Sequence, residues 1–426
     1  MLYTKAPQLS DRGGILHSLR FELVFVLACG TLLPLFLAAD FPPSSDPVSL
    51  PRINSLLAAG LSAIGLVLIL RRLNHYPGMA VVQSILPVLG GLYGAVLAAF
   101  TVLQIDYSNR ALLAGFFSTL AARYAIGTLQ VRAPQLIYWI VPGGRVSVIN
   151  DLPNMATLPL WIPSLPEVSG CAIIADLHAD HSPEWERLLA EAAISGKPVY
   201  HYKQVWEAET GKVQIEHLSE NSFGALVPSL TYQKLKRLVD LVCCVFVLPG
   251  VALMMLVTAI LIKLDSPGPV FFLQRRMGFR GKVFNVIKFR TMTVMNDGEH
   301  REASITQAGD QRITKIGHFL RRVRLDELPQ IVNIIRGEMS WIGPRPEAVS
   351  LSAWYEIEIP FYRYRHIVRP GITGWAQVNQ GHVASLEEID DKLQYDFYYI
   401  KNLSYWLDFL IVFRTLRVIL SGFGAK

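Results

Sequence analysis

Charged residues are scarce in this chain, and so are cysteines. Asp, Glu, Lys and Arg make up 17% of the 426 residues, against about a quarter in typical soluble proteins. Hydrophobic residues reach 51%, which excludes an intrinsically disordered protein. So little charge with so much apolar sequence argues against an ordinary cytosolic enzyme and indicates a membrane protein. The length suffices for two or three domains.

Cysteine spacing excludes two further classes of protein. The four cysteines show neither CxxC spacing nor nearby histidine partners, and they are Cys29, Cys171, Cys243 and Cys244. Neither a zinc site nor a disulfide framework is therefore indicated. No nucleic-acid partner is expected for a chain with a formal net charge of only +6.

Four apolar stretches occupy the first third of the chain: Leu19–Ala39, Ile53–Leu70, Ala80–Val102 and Ala111–Leu129. Each is close to the roughly 20 residues that a helix needs to cross a bilayer. Basic and acidic connections alternate. The basic ones contain Lys5, Arg12, Arg20, Arg71, Arg72, His75, Arg123 and Arg132, and the acidic ones Asp40, Asp46 and Asp106. By the positive-inside rule, residues 1–132 form a four-helix transmembrane bundle with both ends in the cytoplasm.

Residues 133–229 have a mixed pattern that is typical of a small α/β domain. The apolar runs Leu136–Val141, Ala172–Ala175 and Pro198–Tyr200 alternate with the helical pattern of Pro183–Ala193. Only Gly143-Gly144 follows the first predicted strand, in place of the GxGxxG of a dinucleotide site. We therefore expect a degenerate Rossmann-like domain that acts as a scaffold or regulatory unit without a nucleotide.

Acidic and histidine residues cluster after the second predicted strand of this domain, at Asp176, His178, Asp180 and His181. These are metal-ligating residue types. A polar loop that follows a strand explains the cluster as well, and this interpretation is preferred.

A fifth apolar stretch, Leu241–Ile262, is long enough to span a membrane but contains Pro249-Gly250 near its middle. Proline removes a helical donor, so a break or kink is expected there. Basic residues flank both ends, and both flanks therefore favour the cytoplasmic side. A re-entrant hairpin over residues 238–263 satisfies both flanks, and a kinked span is the alternative.

The C-terminal part is dense in Gly, Pro and basic residues, and it contains the adjacent carboxylates Asp326 and Glu327. Because proline is tolerated only in a first helical turn, Pro329 predicts a helix from Asp326 or Glu327 to about Arg336 that stops at Gly337. A helix cap and a favourable first-turn acid would account for the pair structurally. The arginines around it make a carboxylate nucleophile with a phosphate target an alternative, since such a target must be neutralised by cations.

Residues from about Thr231 to the C-terminus resemble the bacterial sugar transferase family, the polyprenyl-phosphate phosphoglycosyl transferases. The resemblance is carried by Ser266-Pro-Gly-Pro269, Gln274–Gly278, Lys288–Met292, Leu325-Asp-Glu-Leu-Pro-Gln330, Gly343-Pro-Arg-Pro346, Pro370–Asn379, Gln394–Ile400 and Trp406–Asp408. The layout is similar to that of larger members that begin exopolysaccharide, capsule or O-antigen units. The resemblance implies a mostly helical, monotopic catalytic domain over residues 230–426, and it favours the re-entrant hairpin.

The resemblance also implies a reaction: transfer of a sugar 1-phosphate from a UDP-sugar to undecaprenyl phosphate, with release of UMP and a covalent aspartyl intermediate. It further implies Mg²⁺, the cytoplasmic face of the bacterial inner membrane, and possible homodimers or downstream glycosyltransferase partners. The implied residues are Asp326 as nucleophile and metal ligand, Glu327 as metal ligand, Lys288, Arg290 and Arg345 on phosphates, and Gln274, Arg275 and Asp396 in support.

Two other functions remain compatible with the residues. A membrane aspartyl-phosphate phosphatase would use Asp326 with water as the acceptor, although a DxD-type signature is lacking. A non-catalytic scaffold for glycosyltransferases is the second alternative, and the intact carboxylate pair argues against it as the only role. Arg324 and the turn from Asn379 to His382 depart from the family pattern, which leaves the preferred sugar open.

Overall fold

The computed structural model describes residues 15–37, 49–74, 76–77, 81–132, 137–152, 155–166, 171–215, 229–293, 312–381 and 385–421. The chain forms two compact units, Met1–Gly211 and Lys212–Lys426. Residues 212–215 belong to the second unit, where Lys212 makes a 2.8 Å ion pair with Asp391 and the Val213 amide donates to the Gln394 carbonyl. The sequence places the start of the last domain later, at residue 230.

The first unit begins with four long helices where the sequence predicts membrane spans. They are α1 (Leu19–Leu37), α2 (Leu50–Leu73), α3 (Val81–Leu103) and α4 (Asn109–Arg132). Among the described residues, α2, α3, α4 and a helix of the second unit, Leu230–Asp265, are long and apolar enough to cross a membrane. Several residues used in the sequence analysis lie outside the described residues: Lys5, Arg12, Ala39, Asp40, Asp46, His75, Ala80 and Leu136.

A polar network joins three of these helices at the end where the sequence predicts the cytoplasm. Glu22, in the first turn of α1, is buried and accepts hydrogen bonds from Arg71 at 2.9 Å and from Gln130 at 2.6 Å. Arg71 lies in the last turn of α2, and Gln130 lies near the end of α4. Because the buried carboxylate is paired and hydrogen-bonded, its burial is tolerated there.

The rest of the first unit is the predicted α/β domain. Strands β1 (Ile137–Ile140), β2 (Ala156–Pro159), β3 (Cys171–Ala175) and β4 (Val199–His201) form a parallel sheet in the order β2-β1-β3-β4. Every residue of β3 is buried, as expected for a central parallel strand. Helix α5 (Pro183–Ile194) begins with a proline in its first turn, and α6 (Tyr202–Thr210) ends at Gly211 with φ +69°.

The second unit is mostly helical. Its elements are α7 (Leu230–Asp265), β5 (Phe271–Met277), β6 (Val283–Phe289), α8 (Lys315–Arg322), α9 (Ile331–Arg336), β7 (Ser340–Ile342), α10 (Val349–Glu358), β8 (Gly371–Thr373), α11 (Trp375–Asn379), α12 (Leu386–Lys401) and α13 (Tyr405–Ser421). Strands β5 and β6 form an antiparallel hairpin, and β7 pairs with β8 in parallel. Cores of apolar residues join α7 to β6 and α9.

Helix α7 is continuous over 36 residues and contains Pro249 in its interior. The sequence predicts a break or kink at this proline, and the structure shows no break, because the helix continues through Pro249. Near its start, the Asp240 carbonyl accepts a 3.2 Å hydrogen bond from the Trp341 ring. Near its end, Ile262 packs against Phe289 and Leu320. Both halves of α7 therefore contact the same unit.

Candidate active site

A short 3₁₀ turn, Leu325–Gln330, holds the two adjacent carboxylates. Arg324 precedes it with φ +60°, and the turn passes directly into α9, which ends at Gly337 with φ +82°. The predicted end of the helix is confirmed, but the predicted start is wrong, because the α-helix begins only at Ile331. Pro329 has no N–H for an i−4 hydrogen bond, and the tighter 3₁₀ turn accommodates it.

Glu327 is buried and lies between two cations. Its Oε1 atom accepts a 2.6 Å hydrogen bond from Arg345 Nη2, and Lys288 Nζ lies 3.5 Å from the same oxygen. Burial alone would raise the pKa of Glu327, but the charges of Arg345 and Lys288 and the Arg345 hydrogen bond lower it well below the usual range. Glu327 is therefore ionised and fixed in orientation.

Asp326 has the opposite environment. Its Oδ1 atom is buried and accepts no hydrogen bond from any residue that the structure describes. Burial and the negative charge of Glu327 raise the pKa of Asp326, and the charges of Lys288 and Arg345 lower it by less. A carboxylate oxygen that is desolvated and lacks a donor can attack an electrophile or bind a cation more readily than one already hydrogen-bonded.

Three cations, Lys288, Arg345 and Arg276, lie around the pair, and Lys288 and Arg345 contact Glu327 directly. Burial lowers the pKa of Lys288 to about 8, despite the opposing charge of Glu327. Burial and the charge of Arg345 likewise lower the pKa of Arg276 to about 10. Such crowding of positive groups is unfavourable without a further anion, and phosphate oxygens would relieve it.

Arg345 is held from behind by a buried ion pair. Arg365 Nη2 donates to the Arg345 carbonyl at 2.9 Å and to Asp396 Oδ2 at 2.8 Å. Arg365 Nη1 also donates to the Tyr362 hydroxyl at 2.7 Å. Arg365 therefore links Asp396 to the backbone of Arg345, and the supporting role expected for Asp396 stays a prediction. Sequence analysis missed Arg365, and only its place within Tyr362-Arg-Tyr-Arg365 was a signal.

Strand β5 contains Gln274 and Arg275, which were expected to support the site, and also Arg276, which was not considered. Gln274 is buried and accepts hydrogen bonds from Arg276 at 2.7 and 3.0 Å. Arg275 lies on the opposite face of the strand, since successive side chains alternate. The structure thus brings Arg276 rather than Arg275 to the site, on the same face of the strand as Gln274.

Arg290 is the expected phosphate-binding residue that the structure does not bring to the carboxylates. Its guanidinium is buried and donates to the Ser266 carbonyl and to the Pro267 carbonyl, each at 2.7 Å, and to the Ser266 hydroxyl at 2.8 Å. Gly268 has φ +126°, and a Cβ atom there would overlap Arg290. Arg290 thus fixes the loop that follows α7.

The site therefore comprises Asp326, Glu327, Lys288, Arg345 and Arg276, with Gln274, Arg365 and Asp396 behind them. Two carboxylates whose pKa values are shifted in opposite directions lie beside three cations. This arrangement can neutralise a dianionic group and present one free carboxylate oxygen to it.

The part of the chain that contains this site is also the part that matches a known protein family. Residues 231–422 match the family described as bacterial sugar transferase. An Aeromonas hydrophila protein, UDP-N-acetylgalactosamine-undecaprenyl-phosphate N-acetylgalactosaminephosphotransferase, is 42% identical over 376 residues, which cover 88% of each chain. The Escherichia coli K12 UDP-glucose:undecaprenyl-phosphate glucose-1-phosphate transferase is 45% identical over 196 residues, 45% of this chain and 41% of that protein. Exopolysaccharide production protein PSS of Rhizobium leguminosarum bv. phaseoli is 41% identical over 188 residues, 43% of this chain and 93% of that protein.

Proposed function

The chain belongs to the bacterial sugar transferase family, and from that premise we propose that it transfers a sugar 1-phosphate from a UDP-sugar to undecaprenyl phosphate. UMP is the second product, and the lipid-linked sugar begins an exopolysaccharide, capsule or O-antigen unit. The observation that carries this proposal is the free, buried Oδ1 atom of Asp326 beside the Glu327, Lys288 and Arg345 cluster.

In the first step, Asp326 Oδ1 attacks the sugar-proximal phosphorus of the UDP-sugar. An O–P bond forms, the bond from that phosphorus to the bridging oxygen breaks, and UMP leaves with the bridging oxygen. Lys288 and Arg345 neutralise the phosphate oxygens during the attack, and Arg276 adds a third positive charge nearby. Fixed cations in a desolvated site stabilise the transition state without reorganisation.

In the second step, a phosphate oxygen of undecaprenyl phosphate attacks the same phosphorus, and the bond to Asp326 breaks. The product is a polyprenyl diphosphosugar, and the carboxylate is regenerated. Because one residue accepts and then donates the phosphosugar, the kinetics are ping-pong.

The carboxylate pair fits a Mg²⁺ ion, which prefers carboxylate and phosphate oxygens. The fit rests on Asp326 Oδ1, a buried oxygen that accepts no hydrogen bond from any described residue. Asp326 and Glu327 would hold the ion, which when bound supplies further positive charge against the phosphate oxygens. Glu327 also keeps Arg345 and Lys288 in place through its own contacts.

We propose that helix α7 supplies the membrane attachment of the catalytic unit, and that a kink at Pro249 within the continuous helix lets it enter one leaflet and leave on the same side. Large apolar side chains such as Phe246 and Leu253 are exposed along it, which suits contact with lipid. Asp240 and Ile262, however, both contact the same unit, which favours placing the two ends on one side of the membrane. The polyprenyl substrate would then meet the site at the cytoplasmic surface of the inner membrane.

The catalytic unit is proposed to be sufficient for the chemistry. Every residue with a proposed chemical role lies after residue 231, and the Rhizobium relative consists almost entirely of the matching part. Residues 1–211 would then provide anchoring, and homodimer formation or recruitment of downstream glycosyltransferases would be separate roles.

The central experiment measures UMP release and label transfer to lipid by the full-length protein in nanodiscs with undecaprenyl phosphate. UDP-N-acetylgalactosamine is the first donor to test, because the relative that aligns along 88% of the chain carries that sugar in its name. UDP-glucose is the second, after the Escherichia coli relative. Label that appears in water-soluble sugar phosphate or free phosphate instead of lipid would indicate the phosphatase alternative.

Asp326→Asn should lower the rate of UMP release by about a thousandfold or more, since an amide cannot attack phosphorus. A thousandfold loss corresponds to about 4 kcal/mol in activation free energy. Asp391→Asn is the matched control, because it makes the same chemical change at a carboxylate that is 47% exposed. Glu327→Gln should slow turnover while still allowing a labelled protein intermediate to be trapped. Turnover by Asp326→Asn above a few per cent of wild type would contradict the nucleophile assignment.

A further inference from the structure

Three side chains of the α/β domain meet at one edge of its sheet: Asp176, His178 and His201. Each offers one ligand atom, and these atoms all lie within 4.8 Å of one another. Neither the proposed reaction nor the catalytic unit uses any of them. Sequence analysis considered Asp176 and His178 but not His201, which lies more than twenty residues later in the chain.

The parallel sheet brings these residues together. Strands β3 and β4 are neighbours, and Ala175 pairs in register with His201. Asp176 follows directly after β3, so its side chain and His201 share the carboxyl edge of the sheet. The chain runs from β1 to β2 on one side and then returns past β1 to β3 and β4 on the other, so the direction of winding reverses between β1 and β3. Ligands of open parallel sheets bind at the carboxyl edge beside such a switch point.

The carboxylate of Asp176 is fixed before any ligand arrives. Its Oδ2 atom accepts a 3.0 Å hydrogen bond from the Arg145 amide, and its Oδ1 atom accepts one of 3.1 Å from the His178 amide. Gly144, with φ +60°, makes the first contact possible, because a Cβ atom there would lie 2.2 Å from Asp176 Oδ2. Gly144 therefore lets the backbone approach and orient the Asp176 carboxylate.

The two imidazoles are oriented as a ligand pair would be. His178 Nδ1 lies 3.0 Å from His201 Nε2, close to the separation of two nitrogens on one tetrahedral ion with bonds of about 2.0 Å. His201 Nδ1 lies 3.3 Å from the Ala175 carbonyl. A metal-bound histidine usually donates its other ring N–H to such a backbone carbonyl, which fixes the ring.

We propose that Asp176, His178 and His201 bind one divalent transition-metal ion of the zinc type. Two imidazole nitrogens and one carboxylate oxygen suit Zn²⁺ and similar ions, and a three-residue set leaves a coordination position for water. His178 is exposed, so that position faces solvent. The ion would connect the loop after β3 to the end of β4, at a site separate from the carboxylates of the catalytic unit.

The test uses tag-free, full-length protein in nanodiscs that has been stripped with a chelator and then titrated with Zn²⁺ or Co²⁺ in excess Mg²⁺. Bound metal is counted by mass spectrometry, and Co²⁺ is also followed by its visible absorption, which reports nitrogen ligation directly. Wild type should take up one tightly held equivalent. Asp326→Asn should take up the same amount, because the catalytic carboxylates are not ligands of this ion.

His178→Ala removes an exposed ligand without disturbing the core, and it should weaken Zn²⁺ binding by about 100-fold or more. His201→Gln, a second variant that keeps volume and a hydrogen-bonding group, should do the same. His318→Ala is the matched control, because His318 is an exposed histidine on α8 of the other unit. Equal metal uptake and the same Co²⁺ spectrum in wild type, His178→Ala and His201→Gln would overturn the proposal.

Discussion

Asp396→Asn tests how the buried ion pair supports the active site. The side chains of Arg365 and Asp396 are 3% and 2% exposed, and burial raises the pKa of Asp396 even though Arg365 lies against it. Removing the negative charge leaves the guanidinium uncompensated, which costs about 3–5 kcal/mol in a buried site. For a unit of this size about 1 kcal/mol corresponds to 2–4 °C, so the midpoint should fall by about 6–20 °C.

A double variant separates stability from positioning. Arg365→Met with Asp396→Leu removes both charges at once, and apolar replacement of a buried pair is often neutral. Its melting midpoint should therefore lie well above that of Asp396→Asn. Its kcat/KM should nevertheless stay low, because the Arg345 carbonyl has lost the 2.9 Å hydrogen bond that holds it.

The assay combines thermal unfolding, followed by tryptophan fluorescence in detergent, with UMP release at a temperature where every variant is folded. Two results would refute the reasoning. One is a melting midpoint for Asp396→Asn within about 2 °C of wild type, since a buried uncompensated charge should lower the unfolding free energy by about 3–5 kcal/mol. The other is a double variant that recovers activity together with stability, since Arg365 would then have no positioning role.

Three other predictions concern different parts of the chain. Burial lowers the pKa of His366 to about 3, against about 6.5 in an unfolded chain. Below pH 6.5 the unfolded state gains a proton that the folded state does not, so the free energy of unfolding should fall by about 2 kcal/mol at pH 5. His366→Gln should remove this pH dependence from the melting curves. Gly343→Ala should lower the melting midpoint, because a Cβ atom there would lie 2.3 Å from a backbone carbonyl oxygen. Gly250→Ala is the control and should melt like wild type, because a Cβ atom there would meet nothing within 4 Å. K234C and K282C, in a background without native cysteines, should both resist an impermeant thiol reagent in intact spheroplasts, and external labelling of K282C would mean that α7 crosses.

The active-site carboxylates were predictable because their signal is local. Asp326 and Glu327 are adjacent in sequence, beside arginines and before a proline that limits the backbone. Much of the first unit was predictable for a related reason, since apolar periodicity and length specify its four long helices and three of its four described strands. Strand β2 and helix α6 were not predicted.

Other features depend on contacts that no local pattern encodes. Arg365 reaches the site only because α12 brings Asp396 to it, 31 residues later in the chain. Arg290 resembles a phosphate ligand in sequence. In the structure, every recorded hydrogen bond of its guanidinium goes to Ser266 or Pro267, directly after α7. The choice between Arg275 and Arg276 needed the register of β5 against β6, which the hairpin sets and the sequence alone leaves open.

The hydrogen bonds of Arg290 have a mechanical consequence. They tie Ser266 and Pro267, which directly follow α7, to Arg290 at the end of β6, two residues beyond Lys288. A bilayer whose hydrocarbon thickness does not match the helix shifts that helix or deforms around it. Any shift of the end of α7 is then transmitted through one guanidinium to a cation of the phosphate site. We therefore expect turnover to vary with the acyl-chain length of the surrounding lipid, so that the membrane acts as an adjustable part of the enzyme.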